Sequence, residues 1–158
     1  MTTDVGGWIG LITAGVALAT FWKSLVEFRR QGAAKRAEQF LAMRSRLRGD
    51  PCFVRICEML ETDSSELRKL SLMERDNFTG FFEELSLLWN SRVFNDDVVY
   101  YMFAYYALKC ARSSNFWDGL NRQQSTWDPF NYFVSRLEML ETRVDRGDLR
   151  YSDAKYRL

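Results

Sequence analysis

The chain has 158 residues and is close to charge balance, with 22 Lys and Arg against 21 Asp and Glu. At 47% hydrophobic and 15% aromatic, with nine Gly and two Pro, it can bury one domain's core and is not a disordered tail. It contains no histidine, which excludes Ser-His-Asp and Cys-His nucleophiles, His-bearing zinc sites and imidazole acid–base work.

No charged residue occurs from Val5 to Trp22, a run of 18 residues. A helix there covers roughly 27 Å, enough for a thin bilayer. Trp8 and Trp22 stand near its two ends, where indole rings favour the headgroup boundary. Residues 1–22 are thus expected to be a short external N-terminus and a transmembrane helix. A signal peptide and a buried core helix compete with this reading, but a signal peptide carries its cations before the apolar run, and only Asp4 precedes this one. One side of the helix collects Gly6, Gly10, Thr13, Ala14, Ala17 and Thr20. Small-residue stripes of this kind let membrane helices pack closely, so this face is expected to mediate self-association or to line a pore.

Residues 23–48 form a basic helical extension. Lys23, Arg29, Arg30, Lys35, Arg36, Arg44, Arg46 and Arg48 are opposed only by Glu27 and Glu38, a local net of +6. By the positive-inside rule the N-terminus lies outside and the rest in the cytoplasm. Lys23, Arg29, Arg30, Lys35 and Arg36 then make a collar suited to anionic lipid headgroups. Nucleic acid is the weaker partner for these cations, because the chain beyond Arg48 is net acidic and repels phosphate. Nothing breaks the helix before Gly49, and Leu25, Phe28, Phe40, Leu41, Met43 and Leu47 give it an apolar face.

A helical bundle is expected over residues 49–147. Asp50-Pro51 is a cap followed by a first-turn proline and opens a helix to about Glu61. A polar connection from Thr62 to Leu70 follows, with room for a short helical turn. Ser71 and Glu74 have capping-box spacing, and Phe78, Phe81, Phe82, Leu85, Leu88 and Trp89 behind them form a helical core stripe. Asn95 with Asp96 and Asp97 begins the next helix, which is expected to reach about Asn115 with Val98, Tyr101, Met102, Tyr105, Leu108 and Cys110 along it. Asp128-Pro129 repeats the cap-plus-proline signal for a last helix to about Asp145, ended by Arg146-Gly147-Asp148. Residues 148–158 make a charged C-terminal tail. The fold class is all-α: one N-terminal transmembrane helix continuing into a cytoplasmic four- or five-helix bundle.

Within the bundle, Glu83-Glu84 and Asp96-Asp97 are adjacent pairs that diverge by about 100° on a helix and cannot converge on one proton or metal. Cys52, Cys57 and Cys110 lack zinc or redox spacing and read as packing thiols. No cofactor, metal or catalytic residue is called for, and the chain reads as a non-enzyme. The run Tyr100-Tyr101-Met102-Phe103-Ala104-Tyr105-Tyr106 puts aromatics on every side of its helix. Either the helix is fully buried, or residues such as Tyr100, Phe103 and Tyr106 meet a subunit or partner. Trp117 and Trp127, flanking a polar loop, are core lids or part of such a contact.

The segments from Phe81-Phe82-Glu83-Glu84-Leu85 to Leu88-Trp89, Asp96 to Tyr106 and Trp127 to Phe130 resemble an uncharacterised bacterial family of small helical proteins, often with one N-terminal membrane helix. The resemblance implies a bacterial inner-membrane protein and carries no catalytic role. In layout the chain is also similar to the membrane accessory proteins of type VI-B CRISPR systems. That likeness implies a membrane helix on a helical bundle, assembled as a pore in antiviral defence. The related helical nucleases use an Arg and a His, and without histidine that chemistry is excluded. A pore places Thr13 and Thr20 near its axis, whereas a membrane-tethered adaptor binding a cytosolic protein needs no ring.

Overall fold

The computed structural model describes residues 5–147, apart from the side chains of residues 5–19, 25, 29 and 30. It is helical throughout, with five α-helices: α1 (Val5–Gly49), α2 (Pro51–Glu61), α3 (Leu72–Asn90), α4 (Asp96–Arg112) and α5 (Asp128–Asp145). Two short 3-10 turns, Ser65–Lys69 and Ser125–Trp127, precede α3 and α5. The chain divides into two units, residues 1–38 and 39–158.

The first unit is the earlier part of α1. Phe21, Trp22, Val26 and Phe28 are exposed on it, and Gln31 donates to Glu27 one turn back at 3.3 Å. Among the described residues no helix is long and apolar enough to cross a membrane. The side chains of Gly6, Gly10, Thr13, Ala14 and Ala17 lie outside those residues, as does the tail 148–158.

In the second unit the remainder of α1 supplies Phe40, Met43 and Leu47 to the core, while Leu41 stays exposed. The apolar face expected on α1 therefore holds only for its last three turns, since Phe28 is exposed as well. Phe40 packs edge-on against Phe94 and Phe103 at 6.1 and 6.0 Å. Arg46 lies over the rings of Phe53 and Phe81 and reaches Glu84 at 2.6 Å, fastening α1 to α3. Helix α5 packs on α3 and α4, and α2 on α4.

The core is built of phenylalanine. Every Phe from Phe40 onward is buried, and Phe53, Phe78, Phe81 and Phe82 form a chain of edge-to-face pairs with centroids 5.1 to 5.5 Å apart. Each such pair contributes about 0.5–1.5 kcal/mol beyond the area it buries.

Local signals place most helix ends. Asp50 accepts from the amides of Cys52 and Phe53 at 2.8 and 3.3 Å. Ser71 and Glu74 complete the reciprocal capping box, and Glu74 also pairs with Arg55 of α2. Two ends differ from expectation. Helix α4 stops at Arg112 rather than near Asn115, because the Ser113 hydroxyl and Ser114 turn to the carboxylate of Asp63, and the Asn115 amide donates to the Asp63 carbonyl. Helix α5 begins with Trp127 at its cap position and no side-chain cap from its own strand of sequence, Asp128 being already helical. Glu83 of α3 instead accepts a hydrogen bond from the Phe130 amide, and burial pushes its carboxyl above the ordinary value.

Arg75 is a charge buried on α3, 4% exposed. It donates to the Asp118 carbonyl at 2.9 Å and to those of Leu67 and Arg68 at 3.3 and 2.9 Å. Its Nε has no acceptor among the described residues. One guanidinium thus ties both long connections, 62–71 and 113–127, to the same helix.

Candidate interaction surface

Helix α4 buries one face and exposes another. Val99, Phe103, Ala104, Ala107, Cys110 and Ala111 are buried, and the three alanines let neighbouring helices approach its backbone closely. Phe103 is the one aromatic of the 100–106 run that is buried, and the tyrosines and Met102 are not. Tyr101, Met102 and Tyr105 are 39, 44 and 55% exposed, with Tyr100 and Tyr106 half-buried beside them. Tyr101, Met102 and Tyr105 therefore do not belong to the inward face.

Tyr105 and Tyr106 share one carboxylate. Glu61, at the end of α2, accepts from the Tyr105 hydroxyl at 2.8 Å and from Lys109 Nζ at 2.7 Å, while Lys109 also reaches the Glu61 carbonyl at 3.0 Å. Hydrogen bonds from Lys109, Tyr105 and Tyr106 hold the Glu61 carboxyl below its ordinary value. Burial, with the hydrogen bond to Glu61, pushes the Tyr106 phenol up to about 12. Lys109 sits 5.0 Å from the centroid of the Tyr105 ring.

Two shallow grooves flank this ridge. One, of about 700 Å³, runs between α2, α4 and α5 past Glu61, Asp63, Tyr101, Tyr105, Arg112 and Glu141. The other, of about 520 Å³, is bounded by Leu47 and Arg48 of α1, Val54, Cys57 and Glu58 of α2, and Tyr101, Met102, Tyr105 and Tyr106 of α4. Aromatic and methionine side chains on a fixed helix, ringed by charges, have the composition of an interface core.

Of the other contact candidates, Phe103, Trp117 and Trp127 are buried, at 1, 9 and 3% exposed. Phe103 is an inward residue of α4. Trp117 and Trp127 pack edge to face at 5.2 Å, and Trp117 Nε1 donates to the Cys110 carbonyl at 2.9 Å. They are lids of the core, and the exposed large side chains of α4 are Tyr101, Met102 and Tyr105 instead. In the basic collar, Lys23 and Lys35 are exposed and Arg36 is half-buried, while the side chains of Arg29 and Arg30 lie outside the described residues. Thr20 is exposed.

The reactive groups are quiet. Burial raises the thiols of Cys52 and Cys110 above the ordinary value and takes Cys57 up to about 12, so all three are protonated near neutrality. Glu83 and Glu84 diverge, one to the Phe130 amide and the other to Arg46. Asp96 accepts from Trp89 Nε1 at 2.9 Å, while Asp97 is buried. The arrangement is suited to binding a protein surface.

Compared with family models, curated proteins and solved structures, the chain matches none.

Proposed function

We propose that this chain is a non-enzymatic, membrane-anchored protein that self-associates, with its uncharged N-terminal stretch in the inner membrane and its helical bundle in the cytoplasm. The observation that carries the reading is the exposed face of Tyr101, Met102 and Tyr105, an aromatic and methionine surface presented on a fixed helix. The exposed Phe21 and Trp22, directly before the cations that begin at Lys23, support an interfacial girdle at the end of a membrane span. Lys23, Arg29, Arg30, Lys35 and Arg36 then lie against anionic headgroups. Assembly through the stripe of Gly6, Gly10, Thr13, Ala14, Ala17 and Thr20, together with the bundle, perturbs or permeates the membrane as an antiviral effector.

The test is the mass of the full-length protein in mild detergent, from light scattering with the detergent subtracted. A discrete assembly supports the reading, and ion flux from liposomes then tests permeation. A monomer at all concentrations refutes self-association. The same aromatic face also fits a second reading, a membrane-tethered adaptor whose bundle binds a cytosolic protein, which a monomer with a stoichiometric partner would establish.

A further inference from the structure

The groove between α1, α2 and α4 carries two opposite charges at its edge, Arg48 and Glu58. Arg48 and Glu58 are both exposed and line the same groove as Tyr101, Met102 and Tyr105. Among the described residues neither side chain has an ion pair or hydrogen bond, so both charges stand at the rim of the groove. A patch with an apolar centre and one free charge of each sign at its edge is self-complementary. Under a two-fold axis the cation of one copy meets the anion of the other, twice, while the apolar centres meet each other.

We propose that this groove is an isologous interface between two copies of the chain, with Tyr101, Met102 and Tyr105 packed across the axis and Arg48 of each protomer paired with Glu58 of its partner. The inference rests on the self-association reading above and specifies its surface. Aromatic and methionine side chains supply the desolvated centre. The two reciprocal ion pairs at the rim fix the orientation and disfavour parallel or sliding arrangements, in which like charges meet. Because the interface is two-fold, every substitution acts twice. An exposed pair contributes little alone, but two of them change dimer affinity by about tenfold.

The experiment uses the full-length protein in mild detergent and follows its mass against concentration. The variants are Arg48→Glu, Glu58→Arg, the double exchange of both, and Met102→Glu, each checked for native helicity by circular dichroism. The expected result is about tenfold weaker association for each single exchange, recovery in the double exchange, and a greater loss for Met102→Glu. Single exchanges without effect, or a double exchange no better than either single, would overturn this interface. Gly10→Leu separates the two levels. If Gly10→Leu dissociates an assembly that the groove variants leave intact, self-association stands and the groove is not its surface. A wild-type protein that is monomeric throughout removes both.

Discussion

Replacing Arg75 tests whether one buried charge holds the two long connections onto α3. Arg75→Met keeps most of the apolar stem and removes three donations, to the carbonyls of Leu67, Arg68 and Asp118. A hydrogen bond to a charged group contributes about 1.5–3 kcal/mol, so the three together are worth at least about 4.5 kcal/mol. Against this stands the desolvation of a guanidinium that, among the described residues, has no carboxylate partner and an Nε without an acceptor, which the methionine relieves. Carbonyls left bare in connections that water can reach recover part of their loss. The balance is a destabilisation of about 2–3 kcal/mol, near 10 °C in Tm for a unit of this size. Lysine is the sharper probe. Its single ammonium retains the charge but cannot span from the Asp118 carbonyl on one side to the Leu67 and Arg68 carbonyls on the other, so Arg75→Lys is expected to lose at least as much as Arg75→Met. Denaturant unfolding of both variants measures this. An Arg75→Lys protein within about 0.5 kcal/mol of wild type would show that charge alone, and not the two-sided bridge, holds the connections.

Two further outcomes concern carboxylates. Glu83→Ala strips the Phe130 amide of its partner and is expected to cost about 1 kcal/mol, whereas Glu83→Gln keeps an acceptor without a buried charge and is expected to equal or exceed wild-type stability at neutral pH; thermal melts of the two distinguish cap from charge. Hydrogen bonds, chiefly from Ser113, hold the Asp63 carboxyl below its ordinary value. The unfolded chain therefore binds its proton first, and the stability that Asp63 contributes is complete above the unfolded carboxylate range and lost as pH falls through the folded value. Asp63→Asn should flatten the acid side of the stability profile below about pH 4 relative to wild type, and an unchanged slope would refute the assignment.

Signals confined to four or five neighbouring residues were legible in the sequence. Asp50-Pro51, Ser71 with Glu74, and Asn95 all cap the helices they precede, because a cap satisfies amides only two or three residues away. Gly147 closes α5 with a positive φ of 75° for the same local reason. The ends that differ depend on distant partners. Ser113 leaves the helix for Asp63, fifty residues earlier, and α5 takes its cap from α3. The exposed face of α4 was hidden by excess, since a helix aromatic on all sides gives periodicity nothing to select. Alanine was the usable signal: Ala104, Ala107 and Ala111 share one side of α4, and that side is where helices approach. Arg75 gave no signal at all, as an arginine one residue after a capping-box glutamate reads as solvated.

The tryptophans give the molecule its own optical reporters. Trp22 is 68% exposed in the first unit, while Trp89, Trp117 and Trp127 are buried in the second, Trp89 with the Arg136 guanidinium 3.5 Å above its ring. A bundle that melts moves three indoles into water and shifts their emission to the red, whereas an α1 segment that meets lipid moves Trp22 the other way. Folding and membrane contact therefore write opposite signatures in one spectrum, and replacing both α1 tryptophans, Trp8 and Trp22, by Phe separates them without a label.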